Sequence, residues 1–394
     1  MFARLFSARK AAARIFALLS LIWLAACEPI AGVGAGTSGP AVNSAAPVQV
    51  ALLVPGASGD SADGFLAQNL ENAARLAIAD LNGVRIDLRV YNTGATQAQA
   101  ADAATRAAND GAMIILGPLR SDATAAVGVA VAGRDINVLS FSNTPTIAGG
   151  NVFILGQTFG STARRLVQYS VANGLSKIMV VHGDDTAGTF GRDAIAGAIR
   201  ASGGTLAGIQ SYPLTQAGIQ AAAPGIAAAV NASGAQAIFL TAGVSADLPI
   251  VATALPEAGI DPANVRYIGL TRWNAAPQAL ALPGLQGGLF ALPDRATTAS
   301  FETRYSARYG STPHPLAGLA YDGIAAIGAL VSSGRTNALG RAALTQSQGF
   351  QGTGGIFRLL PNGLNERGLA VAQIQNSQVV VLDPAPRSFG RAGL

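Results

Sequence analysis

The chain of 394 residues contains one cysteine, two histidines and two lysines. A single cysteine, Cys27, leaves no pair for a disulfide or a thiolate metal site, so stability must come from the core. His182 closes a strand-like run and His314 lies between Pro313 and Pro315, which gives neither metal-ligand spacing nor a helical pair. No Gly-x-Ser-x-Gly elbow is present, and a serine triad would have to take one of these two histidines as its base. Neither Lys10 nor Lys177 follows a Gly-rich phosphate loop, which excludes a Walker A site. Gly34, Gly36 and Gly39 match the spacing of a dinucleotide loop, but no strand precedes them to aim their amides. No catalytic residue, metal or cofactor is expected.

A basic surface is also missing. The formal charge is +5, yet the four charged residues of positions 1–26 (Arg4, Arg9, Lys10 and Arg14) are all basic, leaving 22 basic against 21 acidic residues afterwards. With no later cluster of cations and aromatics, nucleic acid is rejected as a partner.

Those four cations precede an apolar run, Ile15 to Ala26, of roughly 12 residues. A membrane-crossing helix needs about 20, so residues 1–26 read as a signal peptide. Leu24, Ala25, Ala26 and Cys27 resemble the bacterial lipobox. That resemblance implies cleavage before Cys27, a diacylglycerol on its thiol, an acylated new amine and permanent anchoring. Glu28, where an aspartate often marks inner-membrane retention, favours the outer membrane. From Ile30 to Pro47 the chain is largely Gly, Ala, Ser and Pro, so residues 27–47 are expected to be a flexible, lipidated tether.

The remaining stretch of about 350 residues is long enough to split into two lobes. Val48 to Val54 reads as a strand buried on both faces. Leu66, Leu70, Ala73, Ala77 and Leu81 then recur at helical spacing. Val84, Ile86, Leu88 and Val90 alternate with polar residues, as in a strand near a sheet edge. The alternation continues with helix 97–109, strand 113–116, helix 122–132 and strand 136–141, and strict βα order means a parallel sheet. A second series follows: helix 161–172, strand 177–182, helix 192–201, strand 206–212, helix 219–230 and strand 237–241. It closes with helix 246–258, strand 265–270 and strand 288–292. Helices are expected over 298–309 and 316–331. Gly352 to Leu359 and Ala370 to Leu382 alternate like paired strands about the turn Pro361-Asn362-Gly363. The fold class is therefore α/β, with two doubly wound parallel-sheet lobes.

Tandem doubly wound units hold ligands where strand ends and helix N-termini converge. Arg120 and Ser121, and then Ser142, Asn143 and Thr144, follow buried strands and offer hydroxyls and amides suited to an anionic group, although helix capping would use the same residues. Asp184 and Asp185 follow the strand ending at His182, as ligand contacts or as a solvated turn. Thr271 and Arg272, ahead of Trp273, place a cation and an aromatic at another strand end.

These loops, in this order, resemble the type 1 periplasmic binding proteins of the leucine-binding branch, from about Val48 to Leu382. The resemblance is carried by Leu53-Val54-Pro55-Gly56, Asn72 to Ala77, Ile115 to Pro118, Val138 to Ser142, Met179 to His182, Ala320 to Gly323, and Phe350 with Gly352, Gly355 and Phe357. It implies a hinge of three crossings, near Gly160, near Leu292 and after Val331. The lobes would then comprise 48–160 with 293–333 and 161–292 with 334–382, followed by a tail, 383–394. In amino-acid-binding members the ligand carboxylate meets loops matching Arg120, Ser121, Ser142, Asn143 and Thr144, and an aromatic near Phe190 covers the ligand. The ligand ammonium there meets a glutamate where this chain has Thr271 and Arg272. Two like charges at about 4 Å and an effective dielectric near 20 repel by about 4 kcal/mol. Either Asp184 or Asp185 takes over the ammonium, or the ligand is anionic and bridges to Arg272.

Two roles follow. One is a non-catalytic periplasmic ligand-binding lipoprotein that closes on a small polar or amino-acid-like molecule and serves an ABC permease in amino-acid transport. The other rests on resemblance of the anchor, tether and altered pocket to the outer-membrane penicillin-binding-protein activators, whose partner is a penicillin-binding protein and whose output is peptidoglycan synthesis.

Overall fold

The first strand is apolar because both its faces are covered. In the computed structural model, which describes residues 39–43 and 45–390, β1 (Val48–Val54) lies inside a five-stranded parallel sheet of order β2-β1-β3-β4-β5. Around it run α1 (Ser61–Asp80), β2 (Ile86–Asn92), α2 (Gln97–Asn109), β3 (Ile114–Leu116), α3 (Ser121–Val131), β4 (Asn137–Ser140) and β5 (Val152–Ile154). Asp60 caps α1 by accepting the Ala62 amide at 2.8 Å, and Leu66, Leu70, Ala73 and Ala77 form its buried face. Thr96 and Gln99 form a capping box on α2. The polar alternation of β2 marks the sheet edge, as expected.

The second series builds a larger sheet. It comprises α4 (Phe159–Ala172), β6 (Lys177–Gly183), α5 (Thr186–Ala201), β7 (Thr205–Tyr212), α6 (Gln216–Ser233), β8 (Ala237–Leu240), α7 (Leu248–Glu257), β9 (Arg266–Gly269) and β10 (Leu289–Leu292). After α8 (Arg295–Tyr309), α9 (Ala317–Val331) and the short α10 (Arg341–Leu344) come β11 (Phe350–Gly352), β12 (Gly355–Leu359), β13 (Asn365–Arg367), β14 (Ala370–Gln375) and β15 (Gln378–Asp383). The seven-stranded sheet has the order β15-β14-β10-β9-β8-β6-β7, with β14 and β15 antiparallel. Helices α8 and α9 return to the first lobe, where Phe301, Tyr305, Ala320 and Ile327 join the core beneath β1 and β3.

Three expectations change. The runs 352–359 and 370–382 do not pair with each other: β12 joins a three-stranded antiparallel sheet with β11 and β13, whereas β14 extends the large sheet. Phe350, Phe357 and Leu359 are buried in the first lobe's core, so the last crossing falls after Arg367 rather than after Val331, and the stretch from 334 to that crossing does not belong to the second lobe. The reason is that α9 leaves an apolar face which Phe350 and Phe357, with ring centroids 5.5 Å apart, cover. The tether also ends sooner than Pro47. Val42 is buried in the first lobe, and its amide donates to the Thr336 carbonyl at 2.7 Å. Arg85 also donates to the Ala45 carbonyl, and Gly39 packs close against Gly340. The signal peptide and Cys27 lie outside the described residues. No helix among the described residues is long and apolar enough to cross a membrane.

Phe357→Ala should cost about 3–5 kcal/mol, as for a fully buried aromatic. Urea unfolding measures the loss, and hydrogen exchange should accelerate first in β1 and β3; acceleration confined to β6 to β9 would contradict the reassignment.

Candidate ligand-binding cleft

Parallel strands deliver their carboxyl ends to one edge of each sheet, and the loops beyond them line a cleft of about 940 Å³ between the lobes. From the first lobe, Arg120, Ser121, Ser142, Asn143 and Thr144 face it; Arg272 and Ala275 contribute from the second. The crossings supply Gln157, Pro293 and Leu369, and Arg367 lines the cleft just ahead of the third.

Ser140, fully buried at the end of β4, organises the first-lobe wall. Its hydroxyl lies 2.8 Å from that of Thr124 on α3, donates to the Pro118 carbonyl at 2.9 Å and accepts the Ser142 amide at 3.1 Å. Ser142 in turn accepts the Thr144 amide at 3.2 Å. The loop 142–144 is thereby fixed against the start of α3. The N-cap residue of α3, Arg120, makes no side-chain cap, and Ser121 and Asp122 of the first turn line the cleft. Asp122, in the first turn, uses one carboxylate oxygen on the Ala123 amide at 2.8 Å.

Arg120 lines the cleft with its charge already committed. Its Nη2 donates to both carboxylate oxygens of Asp63, at 2.9 and 2.8 Å. Burial pushes the Asp63 carboxyl up, but the Ser58 hydroxyl and the Arg120 guanidinium outweigh it and hold it below its ordinary range. Arg272 differs: it is exposed and has no ion-pair partner among the described residues. Its neighbour Thr271 is tied back, donating to the Ala242 carbonyl at 2.8 Å.

Asp184, Asp185, Phe190 and Thr271 do not line the cleft in this arrangement of the lobes. Asp185 is the N-cap of α5 and accepts the Gly188 amide at 2.7 Å, which is why the helix starts well before Arg192. Asp184 and Phe190 are exposed on the same lobe.

The cleft instead presents acidic and titratable groups that the strand-end argument missed, because they come from helices of the returning segment. Glu302 on α8, His314 ahead of α9 and Asp322 on α9 all line it. Asp322 lies in the stretch Ala320 to Gly323 that carries the family resemblance, which gave it no role in the site. Glu302 had no signal beyond the helical pattern, and His314 had only its flanking prolines. The His314 Nδ1 accepts the Leu316 amide at 3.1 Å, and its ring meets Phe65 edge-on at 6.2 Å. Burial lowers its pKa from the ordinary 6.5. No group of three or more His, Cys, Asp or Glu residues suited to a metal occurs among the described residues.

Two doubly wound lobes joined by three crossings around a polar cleft define a type 1 periplasmic binding protein. A family model described as periplasmic binding protein matches residues 47–378. The chain belongs to that family, a family of ligand-binding proteins and not of enzymes, and its setting is the periplasm. Among solved structures it is similar to a putative branched-chain amino acid ABC transporter protein from Rhodospirillum rubrum, with 18% identity over 86% of this chain and 100% of that one and a TM-score of 0.71. It is similar to a substrate-binding protein from Desulfitobacterium hafniense solved in complex with leucine, with 18% identity, the same coverage and a TM-score of 0.60. It is also similar to a solute-binding protein from Rhodopseudomonas palustris in complex with 3,4-dihydroxybenzoic acid, with 17% identity over 86% and 98% of the chains and a TM-score of 0.55. At such identities these likenesses establish the fold. A search of curated proteins found no match.

Because the folded state disfavours protonated His314, its contribution to stability is complete above about pH 6.5 and lost as pH falls below that value. The melting temperature should drop between pH 7 and pH 5, and His314→Gln should flatten that slope; an unchanged slope would sink the assignment.

Proposed function

We propose that the chain is a lipid-anchored solute-binding protein whose lobes close on a small molecule carrying a carboxylate, for delivery to an ABC-type permease. One observation carries this reading: the first turn of α3, with the Ser121 hydroxyl, and Arg272, which has no ion-pair partner among the described residues, lie on opposite lobes and line the same cleft. A carboxylate seated on the first-lobe wall would accept from the hydroxyls of Ser121 and Thr144 and from amides at the helix start, and Arg272 would reach it or a second acidic group as the lobes close. The ligands of the Desulfitobacterium and Rhodopseudomonas proteins, leucine and 3,4-dihydroxybenzoic acid, share only a carboxylate as their acidic group. An ammonium beside Arg272 would be opposed by about 4 kcal/mol, so a cationic group of the ligand belongs on the side of Glu302. Lipidation at Cys27 and sorting to the outer membrane are supported by the lipobox-like Leu24 to Cys27 and by Glu28.

Thermal unfolding of the chain with Cys27→Ala, against amino acids, organic acids and peptidoglycan fragments, tests the proposal. A ligand at 100 times its Kd adds about 2.7 kcal/mol. A shift with carboxylates, reduced in Arg272→Ala by one to two decades of affinity for the loss of about 1.5–3 kcal/mol, is the expected result. No shift across the panel, together with co-purification of a penicillin-binding protein, would replace it by the activator reading. Fractionation tests the anchor: the native chain should sediment with outer membrane and the Cys27→Ala form should not.

A further inference from the structure

Three short segments join the lobes: 155–158, 293–294 and 368–369. One buried ion pair touches the first and borders the third, and the loop it holds touches the second. Arg367, the last residue before the third crossing, donates from Nη2 to the Leu155 carbonyl, at the start of the first crossing, at 2.5 Å. Its Nη1 donates to Asp322 Oδ2 at 2.9 Å. The other oxygen of Asp322 accepts the Thr353 amide at 2.7 Å and the Thr353 hydroxyl at 3.0 Å. Gly354, the next residue, accepts the amide of Asp294 in the second crossing at 2.9 Å.

The pair is deep, with side-chain exposures of 1% for Asp322 and 10% for Arg367. The guanidinium lies over the Phe357 ring, 5.1 Å from its centroid. The approach of the Thr353 loop depends on Gly352, where a Cβ would stand 2.7 Å from the Asp322 carboxylate. Both charged side chains also line the ligand cleft.

Stability alone is a poor account of such a pair, because desolvation cancels most of its attraction and apolar replacements often fold at least as well. What the pair supplies is connection. Asp322 is fixed to the first lobe by α9; of its donors, Arg367 touches the first crossing and borders the third, and Thr353 precedes the residue that touches the second. A planar guanidinium can serve Leu155 and Asp322 at once because its donors sit in a rigid fork; an ammonium is a single point. We propose that the Asp322–Arg367 pair couples the three crossings into one hinge and sets the resting angle between the lobes, with Arg367 as a positioning residue for the binding site.

The test uses the full chain with Cys27→Ala and spin labels on cysteines introduced at Val129 and Ile209, exposed positions on different lobes. Pulsed electron resonance gives the interlobe distance distribution without any ligand, so it is decided independently of the carboxylate reading. Arg367→Lys should shift or broaden the distribution while circular dichroism stays native. The double variant Asp322→Asn with Arg367→Met removes both charges without stranding either, and should fold and show the same broadening. A purely structural role would lower the melting temperature and leave the distribution of the folded variants unchanged, which would overturn the proposal. Failure of both variants to fold would overturn it as well, since the pair would then be a folding requirement.

Discussion

Parallel strands bury both faces, and each must be followed by a crossover that returns the chain to the opposite end of the sheet. That constraint places every strand-to-helix loop of a lobe along one edge. In this molecule it explains why Gly117 to Ser121 and Phe141 to Thr144, distant from the loop around Arg272 in the sequence, share a cleft with it. The polar equipment of the site follows from the same geometry, because each loop ends where a helix begins and exposes amides that the helix itself cannot satisfy.

Charge is used sparingly, and part of it is held in ion pairs. Asp63 holds Arg120, Glu366 joins Arg164 of the second lobe to Arg358 of the first, and Asp383 meets Arg165 at 2.6 Å. The pair of Arg164 with Glu366 spans the joint between the lobes, where a pair fixes geometry more than it adds stability. Of the arginines that line the cleft, Arg120 and Arg367 are held by carboxylates, and Arg272 has no ion-pair partner among the described residues.

The regular part of the fold was legible because its periodicities are local. The buried run of β1, the amphipathic α1 and the edge pattern of β2 each report their own surroundings. What was not legible depended on long-range packing. No local signal could show that Phe350 and Phe357 cover a helix of the first lobe, or that Val42 finds a place beside Thr336. The site divided along the same line. Strand-end loops announced Ser121, Ser142 and Arg272, whereas Glu302 and His314 enter the cleft on elements returning from the other lobe. Asp185 looked like a ligand contact because N-caps and ligand contacts draw on the same residue types; its bond to the Gly188 amide shows the capping use.

The docking of Val42 also decides where mechanical load enters the molecule. A pull on the chain ahead of this residue is borne by the first lobe, through the Thr336 carbonyl and the core around α9, and bypasses the crossings. The second lobe then carries none of that pull, so a force applied ahead of Val42 leaves the angle between the lobes unbiased.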